Sequence, residues 1–233
     1  MPVRRRLLVV AASLIVVLAA IGVATRVLMA VHTAPGGLSV SGTGTASQAG
    51  ALLGAWRVGA GSEAGYRARE KFVTQPDVTE AVARTSSVTG GFSIESTATG
   101  PRVRGIDFSV DLRTLVSQDS YATFQTYQRD FFVRRIYLES DHYPFARFQG
   151  ADLPLPSALD PGSRVAVSGK LTVHGTTRPV VAQIQVQPMA NSLDVSGSIS
   201  VDMRDFDIEV PSIAFTTAEP VVQIEFLLHL SRK

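Results

Sequence analysis

One pattern decides most of what this chain can fold into: over long stretches, its apolar residues take every second position. Ile106, Phe108, Val110 and Leu112 alternate with Asp107, Ser109, Asp111 and Arg113. Val165, Val167, Leu171 and Val173 alternate with Arg164, Ala166, Ser168, Lys170 and Thr172. Ala182, Ile184 and Val186 alternate with three glutamines, and Leu193, Val195, Ile199 and Val201 with serine and aspartate. Val222, Ile224, Phe226, Leu228 and Leu230 close the chain in the same period. A two-residue period puts neighbouring side chains on opposite faces of a strand, so each run offers one face to a core and one to water. Less regular strands are predicted over 55–59, 64–74, 86–97 and 145–151. Gly100-Pro101, Asp160-Pro161-Gly162, His174-Gly175 and Pro188 to Asn191 separate the runs. One-sided strands joined by short turns make an antiparallel sheet, folded into a sandwich or closed as a barrel, and closure has the merit of leaving no unpaired edge. Gly169 and Gly197 stand in the apolar register, where bends or bulges are expected.

Residues 119–140 break the alternation and are long enough for a helix. Tyr121, Phe124, Tyr127, Phe131 and Arg135 recur three or four apart, giving one aromatic face that either joins the core or lids a cavity mouth. Asp119 or Ser120 is the expected start cap, and Asp141 with Pro144 the stop.

The first thirty residues have a different character. Arg4, Arg5 and Arg6 precede Leu7 to Thr25, a run without a charged residue. At 1.5 Å per residue such a run is about 28 Å long, close to a bilayer core and longer than a usual secretory signal. Residues 1–30 are therefore expected to be a signal anchor or transmembrane helix, with the arginines cytoplasmic and the remaining chain outside. Cleavage after Thr33-Ala34, which would leave a secreted or periplasmic protein, is opposed by Pro35 directly behind it. Residues 31–54, rich in Gly, Ser, Thr and Ala without any hydrophobic period, read as a flexible linker to a domain over 55–233.

Charge and inventory exclude several functions. The 22 basic and 20 acidic side chains give a net charge of +2, but Arg4, Arg5, Arg6 and Arg26 lie in the anchor, which holds no acid. The remainder is thus slightly acidic, which speaks against a nucleic-acid partner. With no cysteine there is no disulfide, thiolate metal site, cysteine nucleophile or lipid-attachment cysteine. His32, His142, His174 and His229 have no metal-ligand spacing, and no Walker loop, dinucleotide fingerprint or GxSxG is present. Ser140-Asp141-His142 holds triad residue types, but triads converge in space rather than in sequence. No enzyme, metal or cofactor is expected.

Several segments are similar to one known family. Trp56-Arg57-Val58, Gly65-Tyr66-Arg67, Lys71-Phe72 and Val88 to Ser93 come first, then Ile106 to Leu112. Tyr137 to Phe148, with Leu138, Ser140, Tyr143-Pro144 and Phe145, is the most specific piece, preceded by Arg129-Asp130. Leu171 to Thr177 and Arg204 to Ile208 follow. In order and spacing they resemble the YceI-like family of polyisoprenoid- and lipid-binding barrels. The resemblance implies an all-β fold: an eight-stranded antiparallel, lipocalin-like barrel with one helical insertion, here preceded by a transmembrane helix. It also implies non-catalytic binding of an isoprenoid, quinone-type or other long-chain lipid. The expected wall is Phe92, Ile94, Ile106, Phe108, Val110, Phe148, Val167, Leu171, Ile184, Ile199, Phe226 and Leu228, side chains that otherwise simply fill the barrel. A headgroup would meet Arg129 or Arg178 at the mouth, with Arg134 and Arg135 as further candidates. The partners expected are a lipid, the membrane and a second copy in a homodimer. The competing reading is an extracytoplasmic β-sandwich for adhesion or partner binding.

Overall fold

The computed structural model describes residues 32–73, 77–121, 126–213 and 216–232. The expected anchor falls outside them, and among the described residues no helix is long and apolar enough to cross a membrane.

The alternating runs form ten strands: β1 Gly54–Val58, β2 Glu63–Phe72, β3 Val78–Thr85, β4 Val88–Thr97, β5 Gly100–Asp111, β6 Phe145–Gly150, β7 Ser163–Val173, β8 Thr176–Pro188, β9 Ser192–Asp202 and β10 Thr216–Arg232. Two pairs are single bent strands. β2 and β1 lie end to end along β10, from Thr216↔Phe72 to Arg232↔Trp56. β3 and β4 lie end to end on their other side, from Lys71↔Val78 to Gly54↔Ile94. Eight staves result, each pairing antiparallel with its neighbours in sequence. The last stave, β10, pairs with β9 from Ser192↔Ser231 to Asp202↔Val221 and with β1–β2 on its other edge. The sheet therefore closes on itself as an up-and-down barrel, and the sandwich alternative falls.

Closure depends on chain reversals that specific residues permit. Between β7 and β8, His174 and Gly175 both take left-handed conformations (φ 51° and 73°), as a two-residue type I′ hairpin loop requires. Close approach limits the seams instead. A Cβ on Gly91 would lie 2.0 Å from the Trp56 carbonyl oxygen across the β4–β1 pair. Gly91→Val is thus expected to force the seam apart at a cost of about 3 kcal/mol, read as a lower urea midpoint, whereas the same change at exposed Gly50, with open space around it, is expected to leave the midpoint nearly unchanged. The glycines in the apolar register do something other than bend their strands: both make room for rings. A Cβ on Gly169 would sit 2.7 Å from the Phe148 ring, and one on Gly197 2.7 Å from that of Phe226.

The helix is shorter than expected. α1 spans Thr126–Phe132 and continues as a wide π-type turn over Val133–Tyr137, closed by Leu138 N–H donating to the Val133 carbonyl at 2.9 Å. Phe124 falls outside the described residues, and Tyr121 belongs to a two-residue strand, Ser120–Tyr121. The expected aromatic face does not join the core: Tyr127, Phe131 and Phe132 are exposed, Arg129 and Val133 are partly buried against the barrel interior, and Phe132 and exposed Gln128 border the interior at its mouth. Asp119 does not cap the helix; it pairs with Arg129 instead.

Residues 31–54 were expected to be flexible, but from His32 onward they are strapped to the barrel. His32–Thr33 pairs with Ser120–Tyr121 near α1. The strap then crosses the outer wall. Arg67 donates to the Pro35 carbonyl at 2.8 Å, Val40 N–H to Ser196 Oγ at 3.2 Å, Gln187 to the Gly42 carbonyl at 2.8 Å and Thr45 N–H to the Pro188 carbonyl at 2.9 Å. Ser47–Gln48 pairs with Ala158–Leu159 at the far end. Beneath it Glu225, buried on an outward position, takes Arg84 Nε at 2.9 Å and Arg67 at 3.5 Å. These are polar and backbone contacts, so the strap needs no hydrophobic period.

Candidate functional site

The barrel interior holds two adjoining chambers of about 190 and 470 Å³. Both volumes lie in or near the range of small-molecule sites. Ala64, Val110, Ala146 and Ile224 border both, so they form the neck between them.

The smaller chamber lies toward the end where Leu52, Leu153, Leu155 and Leu159 cross the barrel floor. Trp56, nearly fully buried, closes that end, its indole N–H donating to the Leu52 carbonyl at 2.9 Å. All twelve residues expected as ligand wall border this chamber: Phe92 and Ile94 from β4, Ile106, Phe108 and Val110 from β5, Phe148 from β6, Val167 and Leu171 from β7, Ile184 from β8, Ile199 from β9, and Phe226 and Leu228 from β10. The two-residue period brings them together because inward positions of every stave converge on one axis.

The larger chamber, at the α1 end, is lined mostly by residues that alternation did not bring forward. β2 supplies Ala64, Tyr66, Ala68, Glu70 and Phe72, and α1 with the following turn supplies Gln128, Arg129, Phe132, Val133 and Tyr137. Phe206 and Ile208 enter from the β9–β10 connection. The chamber is wide on the β2 side because Ala64 and Ala68 are small. A signal for β2 was present: Arg67, Arg69 and Lys71 mark its outward face by alternation of charge rather than of apolar residues.

The larger chamber carries the interior's charge. Arg129, on α1, is only 10% exposed and donates through Nη2 to Asp119, whose side chain is fully buried, and to Ser117 Oγ at 2.8 Å. Its Nη1 stands 3.7 Å from Glu70 Oε2 and has no hydrogen-bond partner among the described residues. Asp119 also accepts Val82 N–H at 3.0 Å and lies 3.5 Å from His32 Nε2. Asp130 is buried and accepts from the Ser117 amide at 3.0 Å and from its hydroxyl. Burial pulls the Arg129 guanidinium down, but the Asp119 hydrogen bond and the nearby anionic groups outweigh it, so the group stays charged. Burial holds the Tyr66 phenol well above its ordinary range, so it remains a neutral donor. The chamber is therefore apolar apart from one wall, where a guanidinium N–H and a phenol are available.

The other candidate cations lie elsewhere. Arg178 pairs in register with Leu171, so it occupies an inward position, but β9 pairs with β8 only over 183–188. Past that last rung Arg178 is on the exposed rim and borders neither chamber. Arg134 donates to the Asp130 and Arg113 carbonyls, and exposed Arg135 pairs with Asp141 at 3.0 Å. His174 ties the β7–β8 turn to Glu139 and to the Phe206 carbonyl, each at 3.3 Å. Among the described residues, no group of three or more His, Cys, Asp or Glu is placed to hold a metal ion.

Comparison with known proteins agrees with this architecture. A polyisoprenoid-binding domain from Saccharophagus degradans, implicated in plant cell wall breakdown, superposes with a TM-score of 0.55 at 17% identity, covering 78% of this chain and 99% of its own. The YceI protein of Campylobacter jejuni superposes with a TM-score of 0.52 at 11% identity, covering 68% of this chain and 89% of its own. At such identities the likeness is one of fold. No curated protein matches the sequence. The YceI-like domain matches residues 60–230, from the β1–β2 corner to the end of β10, and the chain belongs to the YceI-like family.

Proposed function

We propose that this protein is a non-catalytic carrier of one long-chain isoprenoid or similar apolar lipid, tethered on the outer side of a membrane by Leu7 to Thr25. The observation that carries this is the pair of adjoining chambers, apolar throughout except for one polar wall. An apolar tail fits the smaller chamber and the neck, where each buried methylene contributes about 0.8 kcal/mol without any directed contact. The head lies in the larger chamber, where Arg129 Nη1 and the Tyr66 hydroxyl donate to an acceptor oxygen. A polyisoprenoid-binding relative in the same fold supports the choice of ligand class. Organic extraction of the purified full chain, followed by mass spectrometry, is expected to release one long-chain species enriched over the bulk phospholipid. Repeated recovery of bulk phospholipid alone, or of no lipid, would sink the carrier reading.

A further inference from the structure

The rim around α1 carries more exposed apolar surface than a solvated helix needs. Tyr127, Phe131, Phe132, Ile136 and Phe145 each expose more than half of their surface, and Val116 nearly half. They are neighbours. The Phe131 and Phe132 rings meet edge to face at 5.8 Å, and Ser117, next to Val116, is bonded to Asp130 of α1. Arg134 reaches from the turn after α1 to the Arg113 carbonyl at 2.9 Å, and Arg113 lies 5.5 Å over the Phe145 ring. Arg135 lies 6.0 Å over that of Phe131. Phe132 also lines the larger chamber, so the patch runs directly into the interior.

We propose that this rim is a docking face for a phospholipid bilayer, a step that rests on the tethered-carrier reading above. Two features choose a bilayer over a protein partner. The first is where the described chain begins: His32 pairs with Tyr121 and approaches Asp119, at this same rim. Only residues 26–31 separate it from Thr25, the end of the apolar run, and six residues reach about 21 Å at full extension. The strap fixes the remaining linker to the wall, so a membrane anchor would draw the α1 end, rather than the floor, to the bilayer. The second is composition. Aromatic rings overlain by arginine guanidiniums match the interfacial layer of a membrane, where rings enter the acyl boundary and charged heads stay among phosphates. Docked this way, the larger chamber faces its lipid source without a water gap.

The chain has no cysteine, so single-cysteine variants report on one place each. Phe131→Cys and Ile136→Cys sit on the rim, and Ala190→Cys sits in the exposed β8–β9 turn at the opposite end. Each full-length variant would be labelled with an environment-sensitive fluorophore and placed in phosphatidylcholine vesicles with and without a spin-labelled lipid. The proposal expects labels at 131 and 136 to emit at shorter wavelength and to be quenched by the spin-labelled lipid, with the label at 190 unchanged. Rim labels quenched no more than the one at 190 would overturn it. So would rim labels shielded only when the protein sediments as a dimer, since a second copy would then cover the face. Lipid extracted from the same samples keeps the two readings apart: a loaded chain with unquenched rim labels defeats docking alone, and an empty chain with quenched labels defeats the carrier alone.

Discussion

Ile184→Asp is expected to empty the barrel, while Gln185→Glu, one residue along β8, is expected to leave its lipid in place. Ile184 borders the smaller chamber opposite Val165 and Gly197. A carboxylate there has no donor in an apolar wall and must keep water beside it, which excludes the ligand locally. Lost contact with about three methylenes, at about 0.8 kcal/mol each, lowers affinity by about 50-fold. Phe108→Arg, from β5, is expected to act in the same way. Ala146→Leu tests the path without any charge: Ala146 borders both chambers, and a larger side chain narrows the neck. The readout is the amount of lipid recovered per folded chain. Equal recovery from Ile184→Asp, Phe108→Arg, Ala146→Leu and Gln185→Glu would show that the ligand is held outside the barrel.

The smaller chamber was legible in the sequence for a physical reason. On β5, β7, β8, β9 and β10 the inward positions carry large apolar residues and the outward ones polar residues, so the period alone separates the faces. β3 was not legible. Its buried positions Thr79, Ala81, Ala83 and Thr85 are small, and outward Val82 is buried because the Gln118–Asp119 backbone and carboxylate cover it. The same smallness on β2 left the larger chamber unnoticed, since Ala64 and Ala68 mark space rather than a wall. Barrel closure needed the family resemblance, because the decisive contact joins β10 to β9 and to the first stave, and no local pattern records it.

Arg129 shows the opposite case, a residue whose place the sequence suggested and whose partners it hid. In the sequence Arg129-Asp130 enters only as part of the family resemblance, with Arg129 a headgroup candidate; in the structure the guanidinium turns to Asp119 and Glu70, while Asp130 binds Ser117. Asp119, in turn, looked like a helix cap, and its role depends on α1 packing beside the short strand Val116–Ser117.

That arrangement gives Arg129→Met a large expected cost. The substitution keeps the length and apolar stem of the side chain but removes the charge facing Asp119, whose side chain is fully buried. An acid left in that position without its cation destabilises a fold by about 3–5 kcal/mol, more than the loss of the hydrogen bonds alone. His32 Nε2 lies 3.5 Å from the same carboxylate. Removing the stranded acid tests the cause: Arg129→Met with Asp119→Asn is expected to recover most of the loss, because Asn still accepts the Val82 N–H through its carbonyl oxygen and carries no charge. Urea unfolding of the full chain measures both. A double variant no more stable than Arg129→Met would mean that the guanidinium supports the fold by packing under α1, and that the buried pair is not what holds the helix to the barrel mouth.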